Sequence, residues 1–131
     1  MAKRTKSFTP VNLVLIEGHA GNDPDYFESD AFKKASFTLY STRRWLQDGK
    51  AREATTRITV VAWGAQAEFV RAHVTKGGAY EVRGSLVERV WQDKDSGRNR
   101  SALSIRLDDL HFRGRPPISE EADVAVAGEE E

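Results

Sequence analysis

Apolar and polar residues alternate along four stretches of the chain, and this alternation predicts four β-strands. The stretches are residues 35–41, 54–63, 79–91 and 100–109. In each, one face is apolar and is predicted to point inward, whereas the other face carries the polar and charged residues together with a few large apolar ones. The predicted inward residues are Phe37 and Leu39; Ile58, Val60 and Ala62; Tyr80, Val82, Gly84, Leu86 and Val90; and Leu103, Ile105 and Leu107.

A fifth stretch, "VNLVLIEG" (11–18), is apolar on both faces. Leu13 and Leu15 fall on one side, and Val14 and Ile16 on the other. A strand with two apolar faces is covered on both. The stretch therefore predicts a fifth strand that also contacts another subunit.

Turn residues separate these strands. "WLQDGKAREA" and "WQDKDSGRN" each carry Asp and Gly between two strands and predict hairpin tips. Between the third and fourth strands, Phe69, Val70 and His73 have helical spacing and Gly77-Gly78 predicts the helix end. Residues 19–34 predict a polar loop that holds a short irregular strand.

Five strands with one helix between the third and fourth form the element order of an OB-fold, a five-stranded Greek-key barrel. The predicted class is therefore all-β, although other small barrels can share this order. We expect one domain over residues 1–113. Residues 114–131 lack periodicity and predict a disordered acidic tail.

All three tryptophans fall in basic surroundings. On the strand at 79–91, Trp91 lies on the face opposite to Tyr80, beside Arg83 and Arg89. Trp63 shares a face with Arg57, about 20 Å away at roughly 3.3 Å per residue.

Trp45 follows Arg43 and Arg44. Exposed indoles are costly, so three of them predict a function. Stacking of unpaired bases, worth about 1–3 kcal/mol each, with arginines beside the phosphates, fits this pattern. The alternative is a structural role at a barrel mouth, or for Trp63 packing under the helix.

The chain has 131 residues and a net charge of zero, but its charges are unevenly distributed. All 20 Lys and Arg lie within residues 1–115 with 14 of the 20 acids, which leaves +6 there and −6 in the remainder. This asymmetry indicates a polyanion partner and a tail that competes with it, or else only a solubilising tail. No apolar run approaches the roughly 20 residues of a membrane span. We expect a cytoplasmic protein without a secretory signal.

Evidence for catalysis is weak. The three histidines, His19, His73 and His111, have no second ligand at metal-binding spacing, and cysteine is absent. No glycine-rich phosphate loop precedes a helix. The sequence therefore predicts neither enzyme activity nor a metal or cofactor.

Four blocks together resemble the bacterial single-stranded DNA-binding protein family. They are "VNLVLIEGHAGNDP", "FTLYSTRRW", "VVAWGAQAE" followed by "KGG", and "VRGSLVERVWQDKDSGRNR", and they span roughly residues 10–112. The resemblance implies an OB-fold that binds single-stranded DNA in replication, recombination and repair, associated with the nucleoid. It also implies a homo-oligomer, with a tetramer favoured over a dimer.

Within this resemblance, Trp45, Trp63 and Trp91 match stacking aromatics of the family, whereas Arg57 replaces a common tryptophan. The candidate DNA-binding residues are Trp45, Trp63, Trp91, Tyr40, Arg43, Arg44, Arg57, Arg83, Arg89, Lys94, Arg98 and Arg100. Family members end in an acidic tip with a terminal Pro-Phe, whereas this sequence ends "AGEEE". Recruitment of partner proteins is therefore in doubt. A primosome-accessory type of protein-interaction module is the alternative, and RNA binding stays open.

Overall fold

The computed structural model describes residues 8–113, which contain six strands and one helix. Their bounds are β1 Val14–Ala20, β2 Asp25–Glu28, β3 Lys33–Gln47, β4 Lys50–Trp63, α1 Ala65–His73, β5 Ala79–Gln92 and β6 Asn99–Phe112. All five predicted strands are present as β1, β3, β4, β5 and β6, and β2 is the short strand predicted within the loop at 19–34. The acidic segment at 114–131 lies outside the described residues.

Five of the strands close into a barrel. β1 pairs with β5, β5 with β6, and β3 with β4, all antiparallel, whereas β4 and β6 are parallel. The end of β1 also pairs with β3, where His19 lies opposite Tyr40, and β2 adds to the edge of β3. At this closing point Gly18 is required, because a Cβ atom there would collide with the carbonyl oxygen of Tyr40. The predicted OB-fold is confirmed.

The core fills the barrel with the predicted inward residues of each strand, including Phe37, Val60, Val82 and Ile105. Tyr80 is also buried, and its hydroxyl group donates to the carbonyl of His73 and accepts from the amide of Thr75. This satisfies the one polar atom that the tyrosine brings into the interior.

Helix α1 covers the barrel through Ala67 and Val70. It ends at His73, earlier than the glycine pair predicted, because Val74 adopts an extended backbone and is buried in the core. At nine residues it is the only helix among the described residues, and it is too short and polar to cross a membrane.

A β-bulge changes the pattern of β6. Arg83 pairs with Asp109 but its neighbour Gly84 pairs with Leu107, so Asp108 is an extra residue on β6. The alternation shifts by one there, and Leu110 rather than an odd-numbered residue becomes buried. Beyond the bulge β6 stays paired with β5 as far as Phe112, past its predicted end at residue 109.

The four long strands extend past the barrel as two hairpins, which we call the β3–β4 arm (residues 42–56) and the β5–β6 arm (residues 86–103). No residue in either arm is buried. For three residues the prediction that they point into the core is therefore wrong. Leu86, Val90 and Leu103 are 39%, 59% and 54% exposed. They keep the predicted alternation, but no layer covers that side of the arm.

Strand β1 has the two predicted apolar faces. Val14 and Ile16 pack against the core, whereas Leu15 and, just before the strand, Leu13 are exposed. The second face is therefore uncovered within a single copy of the chain.

Candidate nucleic-acid interface

An open groove of about 550 Å³ runs over the outer face of β3, β4, β6 and β5. The strand register brings these outward side chains together, since Thr59 lies beside Ser104 and Ser104 beside Val87. The lining residues are Lys34, Ser36, Thr59, Val61, Trp63, Val87, Glu88, Arg89, Ala102, Leu103, Ser104 and Arg106. Three cations and one carboxylate give the groove a positive charge.

Trp63 lies at one end of this groove. It is the last residue of β4, pairs with Lys34 and is 40% exposed. The Nζ atom of Lys34 is 5.5 Å from the centre of the indole, a cation–π distance. The indole therefore lines the groove and is not enclosed under α1.

Trp91 lies on the outer face of the β5–β6 arm with a cation over its ring. The guanidinium carbon of Arg89 is 4.5 Å from the ring centroid, and Arg100 is the cross-strand neighbour of Trp91. The indole is 38% exposed. A tryptophan beside a charged turn is thus explained by the arm, because this part of the strand has left the core.

The turn at the tip of the β5–β6 arm is organised by Asp93. Its carboxylate accepts hydrogen bonds from the Ser96 hydroxyl at 3.0 Å, the Asp95 amide at 3.3 Å and Nε of Arg100 at 3.3 Å. These donors, the Ser96 hydroxyl first, lower the pKa of Asp93. The turn therefore holds Arg100 beside Trp91, while Lys94 and Arg98 lie on the exposed turn itself.

The β3–β4 arm carries Trp45 on the opposite face from the groove. The pairing of β3 with β4 has no register shift, so alternate residues of β3 stay on one face along its whole length. Trp45 and Arg43 are therefore on the same face as Phe37, which points into the core within the barrel. Arg43 lies 5.0 Å from the centre of the Trp45 ring. The indole is half-buried, in a shallow pocket with Arg52 and Ala51. Trp45 is therefore partly exposed, and its role in DNA binding stays a prediction.

Three other predicted site residues, Tyr40, Arg57 and Arg44, lie outside the groove lining. Tyr40 and Arg57 pair across β3 and β4 on the outer face, two residues beyond the groove residue Thr59. Arg44 is paired with Glu53, with 3.3 Å between Nε and Oε1.

Arg83 does not join this group. It lies between Leu15 of β1 and Asp109 of β6, outside the groove lining.

Two aromatic residues beside Trp63 are not among the predicted site residues. Phe32 packs edge-on against Trp63 and tilted against Phe27, with 5.5 Å between centroids in both contacts. They lie in the stretch predicted as a polar loop. The available signal was the adjacent aromatic pair Tyr26 and Phe27, since aromatic residues are enriched in strands.

Residues 8–113 contain no cluster of candidate metal ligands. No three histidine or acidic side chains cluster there in a way that could hold a metal ion. Nε2 of His111 lies 2.9 Å from Oδ2 of Asp109 on the exposed end of β6, outside the groove.

Comparison with known proteins gives consistent matches. The model of the "Single-strand binding protein family" matches residues 11–113. "Single-stranded DNA-binding protein 1" of Nostoc sp. is 37% identical over 106 residues, covering 79% of this chain and 84% of that protein. The Synechocystis protein of the same name is 35% identical over 114 residues, covering 86% and 91%.

The fold is also similar to solved structures. "Plasmodium falciparum SSB complex with ssDNA" superimposes with a TM-score of 0.72 at 21% identity, covering 83% of this chain and all of that chain. A small single-stranded DNA-binding protein from Streptomyces coelicolor gives a TM-score of 0.65 at 19% identity, covering 77% and 93%. At these identities the likeness concerns the fold.

Proposed function

The chain belongs to the single-strand binding protein family, and from this premise we propose that it binds single-stranded DNA without sequence preference and without catalysis. One observation carries the proposal: Trp63 and Trp91 are exposed on the outer face of the sheet, each with a cation over its ring. The curated relatives named as single-stranded DNA-binding proteins support it.

Binding combines stacking with phosphate neutralisation. Unpaired bases stack on the indoles, each worth about 1–3 kcal/mol, and every base offers a π-face, so no sequence is read. Arg89, Arg57 and Arg106 lie along the same face and attract the backbone phosphates. Stacking does not detect the 2′-hydroxyl, so an RNA strand competes for the same surface.

The two arms extend this surface beyond the barrel. Trp91 with Arg100 on one arm and Trp45 with Arg43 on the other offer further stacking positions. Because Trp45 faces away from the groove, a strand that uses both must curve around the β3–β4 arm. The candidate residues other than Arg83 then act as one continuous path and not as a flat patch.

The protein acts as a homo-oligomer, with a tetramer favoured. The support is Leu15 on the outward face of β1 and Leu13 just before the strand, which are 63% and 54% exposed and which a second copy would cover. Light scattering at micromolar concentration checks this, and a stable monomer contradicts it. We place the activity in the cytoplasm, on nucleoid-associated DNA during replication, recombination and repair. In this scheme residues 1–113 are the binding domain, and the acidic tail competes for its basic groove.

The protein-interaction alternative is not favoured, because the matched relatives are named for DNA binding. A titration of tryptophan fluorescence with oligo-dT at low and high salt tests the choice. We expect strong quenching that weakens as salt rises. Unchanged tryptophan emission at low salt would contradict the proposal.

A matched pair of variants tests the site. Trp91→Ala removes a stacking surface and should weaken oligo-dT binding by about 1–3 kcal/mol. Val90→Ala changes the neighbouring residue on the opposite face of the same arm and should leave affinity unchanged. Fluorescence anisotropy of a labelled oligo-dT measures both. Equal losses in the two variants would contradict a specific role for the indole.

A further inference from the structure

We propose that Phe27 and Phe32 form an additional base-stacking position that extends the groove past Trp63 towards the edge strand β2. The inference rests on the proposed function, since it concerns the same ligand, single-stranded DNA. It adds two residues to the candidate surface and predicts where one end of the bound strand lies.

The backbone register sets these aromatics in a row. Phe27 on β2 pairs with Lys34 on β3, and Lys34 pairs with Trp63 on β4. Directly opposed residues of antiparallel strands project from the same face of a sheet. Phe27 and Trp63 are therefore on one outer face, and this face is continuous with the groove that Lys34 and Trp63 line.

Phe32 joins the two ends of the row. Its ring centroid lies 5.5 Å from that of Phe27 and 5.5 Å from that of Trp63, with interplanar angles of 42° and 66°. Ser29 stabilises the short turn before β3. Its hydroxyl accepts a hydrogen bond from the amide of Phe32, and its own amide donates one to the Phe32 carbonyl. The ring is thus fixed by its backbone as well as by its neighbours.

The rings are exposed although a core lies nearby. Phe27 is 55% exposed and Phe32 43%, whereas Phe37, five residues further along the chain, is 2% exposed. A contiguous aromatic surface next to a nucleic-acid groove has an evident occupant, namely the next base of the strand that passes Trp63. Continuity with Trp63 selects a base over a protein side chain as that occupant.

Charge indicates what this end of the surface contacts. Asp25 lies on the same face, two residues from Phe27, and Glu28 and Asp30 follow it. Lys33 is paired with Glu68, which leaves Lys34 as the cation within the row. An acidic edge repels phosphate, so this position contributes stacking and no counterion release.

A purely supporting role for these rings is the competing explanation. Phe32 touches Trp63 and holds its ring edge-on, so a defect in Phe32→Ala can arise through Trp63 alone. Phe27 stacks on Phe32 and not on Trp63. Phe27→Ala is therefore the variant that separates the two roles.

The experiment measures binding of labelled oligo-dT of increasing length to the full chain, at several salt concentrations. For Phe27→Ala we expect an affinity loss of about tenfold on long oligomers, in line with one lost stacking contact. Short oligomers that do not reach β2 should bind as they do to the wild type. The dependence of affinity on salt should stay unchanged, because no phosphate contact is lost.

Phe69→Ala is the matched control. Phe69 is 41% exposed on α1 and its ring packs on His73 and not on a ring of the row, so its truncation should leave affinity unchanged at every length. Phe27→Ala binding like the wild type at all lengths overturns the inference, as does an equal loss at every length or the same loss in Phe69→Ala. If the wild type itself fails to bind oligo-dT, the proposed function fails first.

Discussion

The two arms are continuations of four of the five barrel strands, yet the same alternating pattern buries residues in the barrel and leaves them exposed in the arms. On β5, Val82 is fully buried and Val90 is 59% exposed, although both have the same parity. On β6, Ile105 and Leu103 differ in the same way, at 0% and 54%. Alternation therefore determines which side of a sheet a residue occupies. Burial requires in addition a second layer on that side.

The arms explain how an all-β protein of this size presents large aromatic rings to solvent. In the barrel the inward side chains pack against those from the opposite wall, whereas in the arms no residue on either face is buried. Trp91 and Trp45 can then occupy either face without displacing a core residue. The arms thereby add binding residues to the barrel groove without using positions that stabilise the core.

The largest expected effect compares two aliphatic truncations on β6. Ile105→Ala should lower the free energy of unfolding by about 2–5 kcal/mol, because it leaves a cavity in the core. Leu103→Ala, two residues away in the arm, should change it by no more than about 0.5 kcal/mol. Urea unfolding followed by fluorescence measures both. A comparable loss in Leu103→Ala would show that something covers the arm.

A second prediction concerns Arg57, where barrel and β3–β4 arm meet. Arg57→Trp exchanges a phosphate contact for a stacking surface, so the slope of log K against log salt for oligo-dT should become shallower by about 0.7. Folding stability should change little, since the side chain is exposed. Arg83→Trp is the control, because Arg83 lies beside Leu15 outside the groove. A shallower slope in that variant would place the DNA path elsewhere.

The smallest effect concerns the turn of the β5–β6 arm. Hydrogen bonds from Ser96, Asp95 and Arg100 lower the pKa of Asp93 in the folded state. Its contribution to stability is therefore complete above the unfolded pKa, near about 4, and is lost as the pH falls through the lower folded value. The difference in melting temperature between wild type and Asp93→Ala should be small and constant at neutral pH and should disappear in acid.

Asp95→Ala is the control for this titration. Asp95 contributes its backbone amide and not its carboxylate to the network. Its truncation should leave the melting temperature and its pH dependence near those of the wild type. An Asp93→Ala difference that persists in strong acid would contradict the role of the Asp93 charge.

Much of the fold was predictable because it depends on local signals. Alternation identified the barrel strands, and the Asp-Gly turns identified both hairpins. The outward position of Trp91 followed from the parity of β5 alone. These features need no knowledge of the opposite wall.

The missed features depend on distant partners. The bulge at Asp108, which brings Leu110 inward, arises from the pairing of β6 with β5. The facing of Trp45 follows from an unbroken register along the whole β3–β4 hairpin, and the alignment of Phe27 with Trp63 needs three strands at once. Side-chain parity within one strand contains none of this information.

Because a tight turn at Asp48 and Gly49 closes the β3–β4 arm, the length of the arm and the face on which Trp45 lies change together. Both residues have positive φ, 52° and 75°, and they connect Gln47 directly to Lys50. Inserting one residue into each strand between the barrel and Trp45 would move the indole about 3.4 Å further from the barrel and turn it to the other face. Two inserted pairs would restore the orientation at about 7 Å. Evolution can therefore lengthen such an arm without redirecting its tryptophan only in even-numbered steps.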